Sequence, residues 1–156
     1  KRTVFDYIQP NEGLFLVGRL DLDSEGLLLV TSDGLFANRL MHPGFAHEKE
    51  YVVTLRESIS DEALATLARG VVIAVDGRSY HTRPAVVKRL DLSKFKLILR
   101  EGKKRQIRLM CEAVAVKVMF LKRIRIAKIK LGDLQKGEYR NLTTAEIESV
   151  TNAPSQ

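Results

Sequence analysis

The stretch from Gly18 to Thr31, Gly-Arg-Leu-Asp-Leu-Asp-Ser-Glu-Gly-Leu-Leu-Leu-Val-Thr, constrains this chain more than any other. An apolar approach, Phe15 to Val17, enters a polar knot, and the apolar run Leu27 to Val30 leaves it. Short apolar runs bounded by Gly and Asp read as buried strands joined by a tight connection. Such a connection holds Arg19, Asp21, Asp23 and Glu25 beside the core, where charge without a partner is costly. A metal, an ion pair or a reaction has to offset that cost. Asp21-x-Asp23-x-Glu25-Gly26 copies the opening half of a calcium loop, but such a loop needs a bidentate Glu at its twelfth position, and Ser32 stands there. The ligand set therefore disfavours calcium, and local residues leave two readings open: a solvated polar turn or an active site.

Charge placement separates partner classes. The chain of 156 residues carries a net charge of +7, and between Arg100 and Lys130 it has 11 Lys or Arg against Glu101 and Glu112 alone. The positive excess thus sits in one contiguous segment, as expected of a surface that neutralises phosphates. A composition of 45% hydrophobic and 29% charged residues fits a single folded domain with a substantial core. No apolar run approaches the ~20 residues of a membrane span, and no signal-peptide pattern opens the chain. The lone Cys111 forms no internal disulfide and suits a reducing cytosol, so a cytoplasmic location is expected. His42, His47 and His81 lack metal spacing, which leaves no metal site to predict. Zinc-finger spacing and a basic helix running into a heptad zipper are both missing, which disfavours the common DNA-binding modules.

Pattern along the chain predicts mixed structure. Thr3 to Ile8 reads as a helical turn and Pro10-Asn11-Glu12-Gly13 as a turn. Leu35 to Met41 reads as a short helix, and Lys49 to Arg56 as a strand with Tyr51, Val53 and Leu55 on one face. Ser60 caps a helix that Gly70 ends, Asp76-Gly77 marks a hairpin between extended segments, and Lys94 to Arg100 alternates again. Lys103 to Val116 fits a helix with Ile107, Met110, Cys111 and Val114 on one side. Val118 to Leu131 is a long strand stretch whose apolar parity changes, predicting a bulge or break near Ala127-Lys128. Thr143 and Glu146 form a capping box for a last helix. Strands outnumber helices without βαβ alternation, so the expected fold is α+β, a mainly antiparallel sheet flanked by a few helices.

Several motifs, in order, carry a resemblance. Gly-Arg-Leu-Asp-x-Asp-Ser-x-Gly-Leu-Leu-Leu is followed by His47-Glu48-Lys49-Glu50-Tyr51-Val52-Val53 and by Glu101-Gly102-Lys103-Lys104-Arg105-Gln106-Ile107-Arg108-x-Met110. Leu121-Lys122-Arg123-Ile124-Arg125-Ile126 and Leu131-Gly132-x-Leu134-x-x-Gly137-Glu138-Tyr139-Arg140 come next. Together they resemble the RsuA/RluB/RluE/RluF-type pseudouridine synthases over nearly the whole chain, the RluF branch most. The resemblance implies the synthase catalytic fold with a central RNA-binding cleft, and isomerisation of uridine in ribosomal RNA, large-subunit 23S RNA first. No cofactor is required, because the reaction breaks the N-glycosidic bond and rejoins C1′ to C5 of the same base without redox change. Family members usually carry an N-terminal S4 domain and a Lys-Pro-x-Gly motif, so residues 1–156 are expected to be an N-terminally truncated catalytic domain, acting as a monomer.

By resemblance, Asp21 is the essential aspartate, Arg108 its ionic partner, and Tyr51 the ring that stacks on a turned-out uracil and assists proton removal. A guanidinium beside a desolvated carboxylate keeps it charged and oriented. Arg19, two residues before Asp21, would share its face in an extended chain and fill the space the base vacates. Ile107 or Leu109 supplies an apolar wall. Lys103, Lys104, Arg105, Lys122, Arg123 and Arg125 are the expected phosphate contacts, which position RNA without reading its sequence. Asp23 and Glu25 read as turn stabilisers. The chain departs from the pattern at Leu109, where an Arg is common, and at Ala115, where a Gly is common. The competing readings are an RNA-binding module without catalysis, a synthase for tRNA or small-subunit RNA, and a DNA-binding domain.

Overall fold

The computed structural model describes residues 2–8 and 13–155. The turn expected at Pro10-Asn11-Glu12 lies outside them. Short strands β1 (Phe15–Val17) and β3 (Leu29–Thr31) pair antiparallel, and the polar knot with β2 (Glu25–Gly26) loops out between them. Helix α1 (Gly34–Met41) follows, its start fixed by the Asp33 carboxylate, which accepts from the Leu35 and Phe36 amides at 2.9 and 3.1 Å.

The main sheet is built on β4 (Lys49–Leu55). Its neighbours are β8 (Lys94–Leu99) and β9 (Val118–Ile126), with β7 (Val86–Asp91) beyond β8 and β10 (Ile129–Lys130) beyond β9. All these pairings are antiparallel; β2 alone joins in parallel, against the middle of β9. The α+β expectation holds. Between β4 and β7 lie α2 (Asp61–Arg69) and the hairpin of β5 (Val72–Val75) with β6 (Arg78–His81). Asp76 and Gly77 both take positive φ at its tip, as the Asp-Gly pair predicts. The expected break after Ile126 is a two-residue hairpin turn, Ala127 at φ 52°.

One irregularity positions the site. Between the pairs Glu50↔Arg125 and Tyr51↔Arg123 the register of β9 slips, leaving Ile124 as an extra residue. Because side chains alternate along a strand, a slip of one residue turns the rest of the strand over to the other face. Arg123 therefore points to the same side as Lys49, Tyr51 and Val53, and it is 4% exposed. A second slip near Leu55 returns Val118 to that side.

Helix α3 (Gln106–Ala113) is shorter than the Lys103–Val116 expectation. Arg105 adopts a left-handed φ of 54°, which cannot propagate a helix, so the basic run stays in the preceding turn. The Gln106 side chain secures that turn, accepting from the Lys103 amide at 2.9 Å and donating to Glu101 at 2.7 Å. Helix α4 (Thr144–Thr151) has the predicted Thr143–Glu146 capping box.

Two apolar clusters form. One joins β4, β8, β9, α2 and α3 around Val53, Phe95, Leu97 and Met110; Cys111 lies within it, its thiol pushed up to about 12 by burial. The other joins β1, β3, α1 and α4 around Leu29, Phe36, Ile129 and Val150. The polar knot crosses between them. Among the described residues no helix is long and apolar enough to cross a membrane.

Candidate active site

A cleft of about 720 Å³ opens where the two clusters meet. Its apolar lining draws on both, with Val17, Leu29 and Leu40 on one side and Leu99, Ile107 and Leu121 on the other. The loop from Gly18 to Glu25 forms one wall, the turn from Glu101 to Gln106 another, and the face of β4 carrying Lys49 and Tyr51 forms the floor.

The wall stays in place through three contacts. Gly26 takes φ 111° and lies so close to β9 that a Cβ there would sit 2.2 Å from the Arg123 carbonyl oxygen. Only glycine permits that approach. The Arg123 guanidinium then donates back to the Leu27 carbonyl at 2.9 Å and the Arg19 carbonyl at 3.4 Å, gripping both ends of the loop. On the opposite side Asp23 binds α3. Arg105 meets its two carboxylate oxygens at 3.1 Å each, and Arg108 donates to its backbone carbonyl at 2.7 Å, with its Nε 3.3 Å from Oδ2. The hydrogen bonds from Arg105 and the nearby Arg108 charge hold the Asp23 carboxyl below its ordinary pKa against partial burial.

These contacts change the assignment of Arg108. The resemblance pairs it with Asp21; its carboxylate partner is Asp23, and no ion pair joins Arg108 to Asp21 within 4 Å. The reason is the tight turn at Leu22-Asp23, closed by the Ser24 amide on the Asp21 carbonyl at 2.9 Å. That turn sends the two acids to different sides, Asp23 to the helix and Asp21 to the cleft. The Asp21 carboxylate has no protein hydrogen bond or ion pair among the described residues and stands half-buried in the lining.

The other expected residues separate into groups. Arg19 and Tyr51 line the cleft with Asp21, and Arg19 does not pair with Asp23. Ile107 supplies the apolar wall; Leu109 packs into the first apolar cluster instead. Lys103, Lys104 and Arg105 lie exposed along the rim, Lys103 over the Tyr80 ring at 4.8 Å and Lys104 3.3 Å from Asp76. Lys122 is exposed on β9. Two of the expected phosphate contacts leave the exposed surface: Arg123 is buried beneath the loop, holding two of its carbonyls while it lines the cleft floor, and Arg125 is held by Glu48, Glu50 and the Ala127 carbonyl. Two of the three acids of the half-calcium pattern are likewise engaged, Asp23 by its arginines and Glu25 3.6 Å from Lys136.

Lys49 is the cleft residue that sequence reasoning passed over. Burial, and then the charge of Arg123, lowers its pKa from the ordinary lysine value. Its neighbours Glu48 and Glu50 concealed it, since an acid-base-acid run suggests self-neutralisation.

The family model described as RNA pseudouridylate synthase matches residues 3–113. The dual-specificity RNA pseudouridine synthase RluF of Salmonella typhi is 36% identical over 145 residues, 93% of this chain and 49% of that protein. The ribosomal large subunit pseudouridine synthase B of Bacillus subtilis is 40% identical over 157 residues, 96% of this chain and 63% of that protein. A crystal structure of a pseudouridylate synthase superposes with a TM-score of 0.88 at 35% identity, covering 95% of this chain and 65% of the other. The chain thus spans between about half and two thirds of the length of these relatives.

Proposed function

Because the chain belongs to the RNA pseudouridylate synthase family, we propose that it isomerises uridine to pseudouridine in ribosomal RNA, with Asp21 as the catalytic carboxylate. The observation that carries the reading is that Asp21 is a carboxylate with no hydrogen bond or ion pair among the described residues, in the field of Arg105 and in a cleft shared with Tyr51 and rimmed by cations. A structural acid in this loop would be expected to look like Asp23, matched by arginines on the helix side.

In this reading the basic rim attracts the phosphate backbone, and a uridine leaves its stack to enter the cleft. Arg19 occupies the space it vacates. Tyr51 stacks on the uracil while Ile107 closes the apolar side, an arrangement worth about 1–3 kcal/mol. Asp21 attacks C1′ as the bond from C1′ to N1 breaks and N1 keeps its electron pair; the freed uracil turns, and C5 bonds to C1′ and displaces the Asp21 carboxylate. The proton on C5 is then lost, a step Tyr51 assists in this reading, and N1 takes up a proton. Arg108 acts as a positioning residue: by holding Asp23 it sets the turn that presents Asp21. Large-subunit RNA is the first substrate to test, from the RluF-like His-Glu-Lys-Glu-Tyr stretch and the large-subunit activity for which the Bacillus relative is named.

The test is tritium release from 23S transcripts made with 5-tritiated uridine, beside 16S and tRNA transcripts. Wild-type chain should release tritium from 23S RNA and Asp21→Asn should release none while still binding it. Binding without release by either protein would sink the catalytic reading and leave an RNA-binding module.

A further inference from the structure

The floor of the cleft holds two cations that no acid among the described residues neutralises. Lys49 and Arg123 face the same side across β4 and β9, and neither has a carboxylate within 4 Å among those residues. Of the acids that line the cleft or flank Lys49, Asp21 makes no ion pair with either cation, Glu25 lies 3.6 Å from Lys136, and the remaining three are engaged elsewhere. Glu48 and Glu50 flank Lys49 in sequence but point to the opposite face, where Arg100 and Arg125 hold them. Glu101 lines the cleft yet is engaged by Tyr80, the Arg83 amide and Gln106. Arg123, 4% exposed, keeps one guanidinium nitrogen buried without any hydrogen-bond acceptor. Burying charge in this way is unfavourable unless an anion arrives.

Geometry says which anion. Lys49 and Tyr51 sit on one face of one strand, separated by two residues or roughly 7 Å. A base stacked on Tyr51 would carry its phosphate, one ribose away, over a comparable span. The lysine also reaches toward the basic turn, since a Cβ on Gly102 would lie 3.5 Å from its Nζ. We propose that Lys49, backed by Arg123, is the subsite for a phosphate group of the turned-out uridine nucleotide. The proposal rests on the reading that a nucleotide enters this cleft, but not on turnover.

The probes are uridine, uridine 3′- and 5′-monophosphate and inorganic phosphate, titrated into the 156-residue chain and followed by two-dimensional NMR. At least one monophosphate should bind wild type about tenfold more tightly than uridine, the increment of a charge-assisted contact. Lys49→Met should erase that preference and leave uridine binding in place; Lys49→Arg should keep most of it. In tritium release, Lys49→Met should raise KM more than it lowers kcat, because a phosphate contact exists before the transition state. Equal binding of uridine and both monophosphates by wild type would overturn the subsite. So would loss of uridine and monophosphate binding together in Lys49→Met, or inorganic phosphate binding as tightly as the nucleotides. A chain that shows the Lys49-dependent preference but releases no tritium keeps the subsite and loses the catalytic reading.

Discussion

On the loop wall of the cleft Asp23 is matched by two arginines, whereas on the sheet floor Lys49 and Arg123 have no carboxylate within 4 Å among the described residues. The wall is matched in charge: Arg105 and Arg108 meet the Asp23 carboxylate and Arg108 donates to its carbonyl, so that the loop is fixed even though the Arg108 Nε itself has no hydrogen-bond acceptor among the described residues. The floor is more open: Arg123 holds the loop through two backbone carbonyls, but neither it nor Lys49 meets an acid, and Lys49 holds no other part of the described protein. Side chains that hold another element keep the cleft in shape, and those that hold none mark what the cleft receives. Asp21 belongs with the floor by this criterion although it sits on the wall.

Gly26→Ala breaks the comparison most severely, because wall and floor meet there. A methyl group at φ 111° and 2.2 Å from the Arg123 carbonyl cannot be accommodated without parting β2 from β9. We expect a loss of about 3 kcal/mol or more in urea unfolding, together with loss of tritium release. Gly34→Ala, at a helix start with open space around it, is the control and should leave stability nearly unchanged.

Asp23→Ala removes the compensation alone. It strands the Arg108 guanidinium, whose side chain is 9% exposed, while Asp23 itself is half-exposed and its pairs partly screened. The expected loss is about 2 kcal/mol. Adding Arg108→Met should recover part of it, since the buried charge is then gone, and a double-mutant cycle reads the coupling. On the floor the matching truncation, Lys49→Met, should change stability by less than about 0.5 kcal/mol, because no partner is orphaned. Equal losses at Asp23 and Lys49 would erase the distinction between the two surfaces.

Much of this arrangement is legible in the sequence, and the failures have physical causes. The strand of Tyr51, Val53 and Leu55, the Ser60 and Thr143 caps, the Asp-Gly turn and the polar knot between two apolar runs all arise from local pattern. Motif spacing could not decide between Asp21 and Asp23 as the partner of Arg108, since the tight turn that separates them is set by docking onto α3 and β9. Nor could it place Arg123, whose direction depends on one extra residue at Ile124. A signal was present: Val118, Leu121 and Ile126, all buried, do not share one parity. Lys49 was hidden because neighbours in sequence lie on opposite faces of a strand.

Away from the cleft, Arg140 and Glu146 provide a reference for fully compensated charge. Arg140 donates to both carboxylate oxygens at 2.7 and 2.8 Å, and the Thr143 amide adds a third bond at 2.9 Å. The Arg140 hydrogen bonds are the main cause that brings the Glu146 carboxyl from 4.5 to about 2. A carboxyl lowered on folding stabilises above its unfolded pKa, and that contribution is lost as pH falls through the folded value. Glu146→Gln should therefore cost about 1 kcal/mol at pH 7, after allowance for the exposure of Arg140, and the gap to wild type should close between roughly pH 5 and pH 2. A gap that stays constant over that range would show the capping geometry, not the charge, to be what matters.

The one gain in stability is expected at the far end of α3, the helix that receives Asp23. Ala115 follows that helix at φ 60°, in the left-handed region where a side chain clashes with its own backbone. The resembling family commonly has glycine there, which adopts this conformation freely. The Ala115 amide still closes the helix on the Glu112 carbonyl at 3.0 Å, so the conformation is kept despite its strain. Ala115→Gly relieves the strain but loosens the unfolded chain, and the first effect is the larger. We expect a gain of about 0.5 kcal/mol in urea unfolding, with tritium release unchanged because Asp23, Arg105 and Arg108 keep their contacts at the other end of the helix. Destabilisation would mean that the left-handed turn is held by the alanine methyl and not tolerated in spite of it.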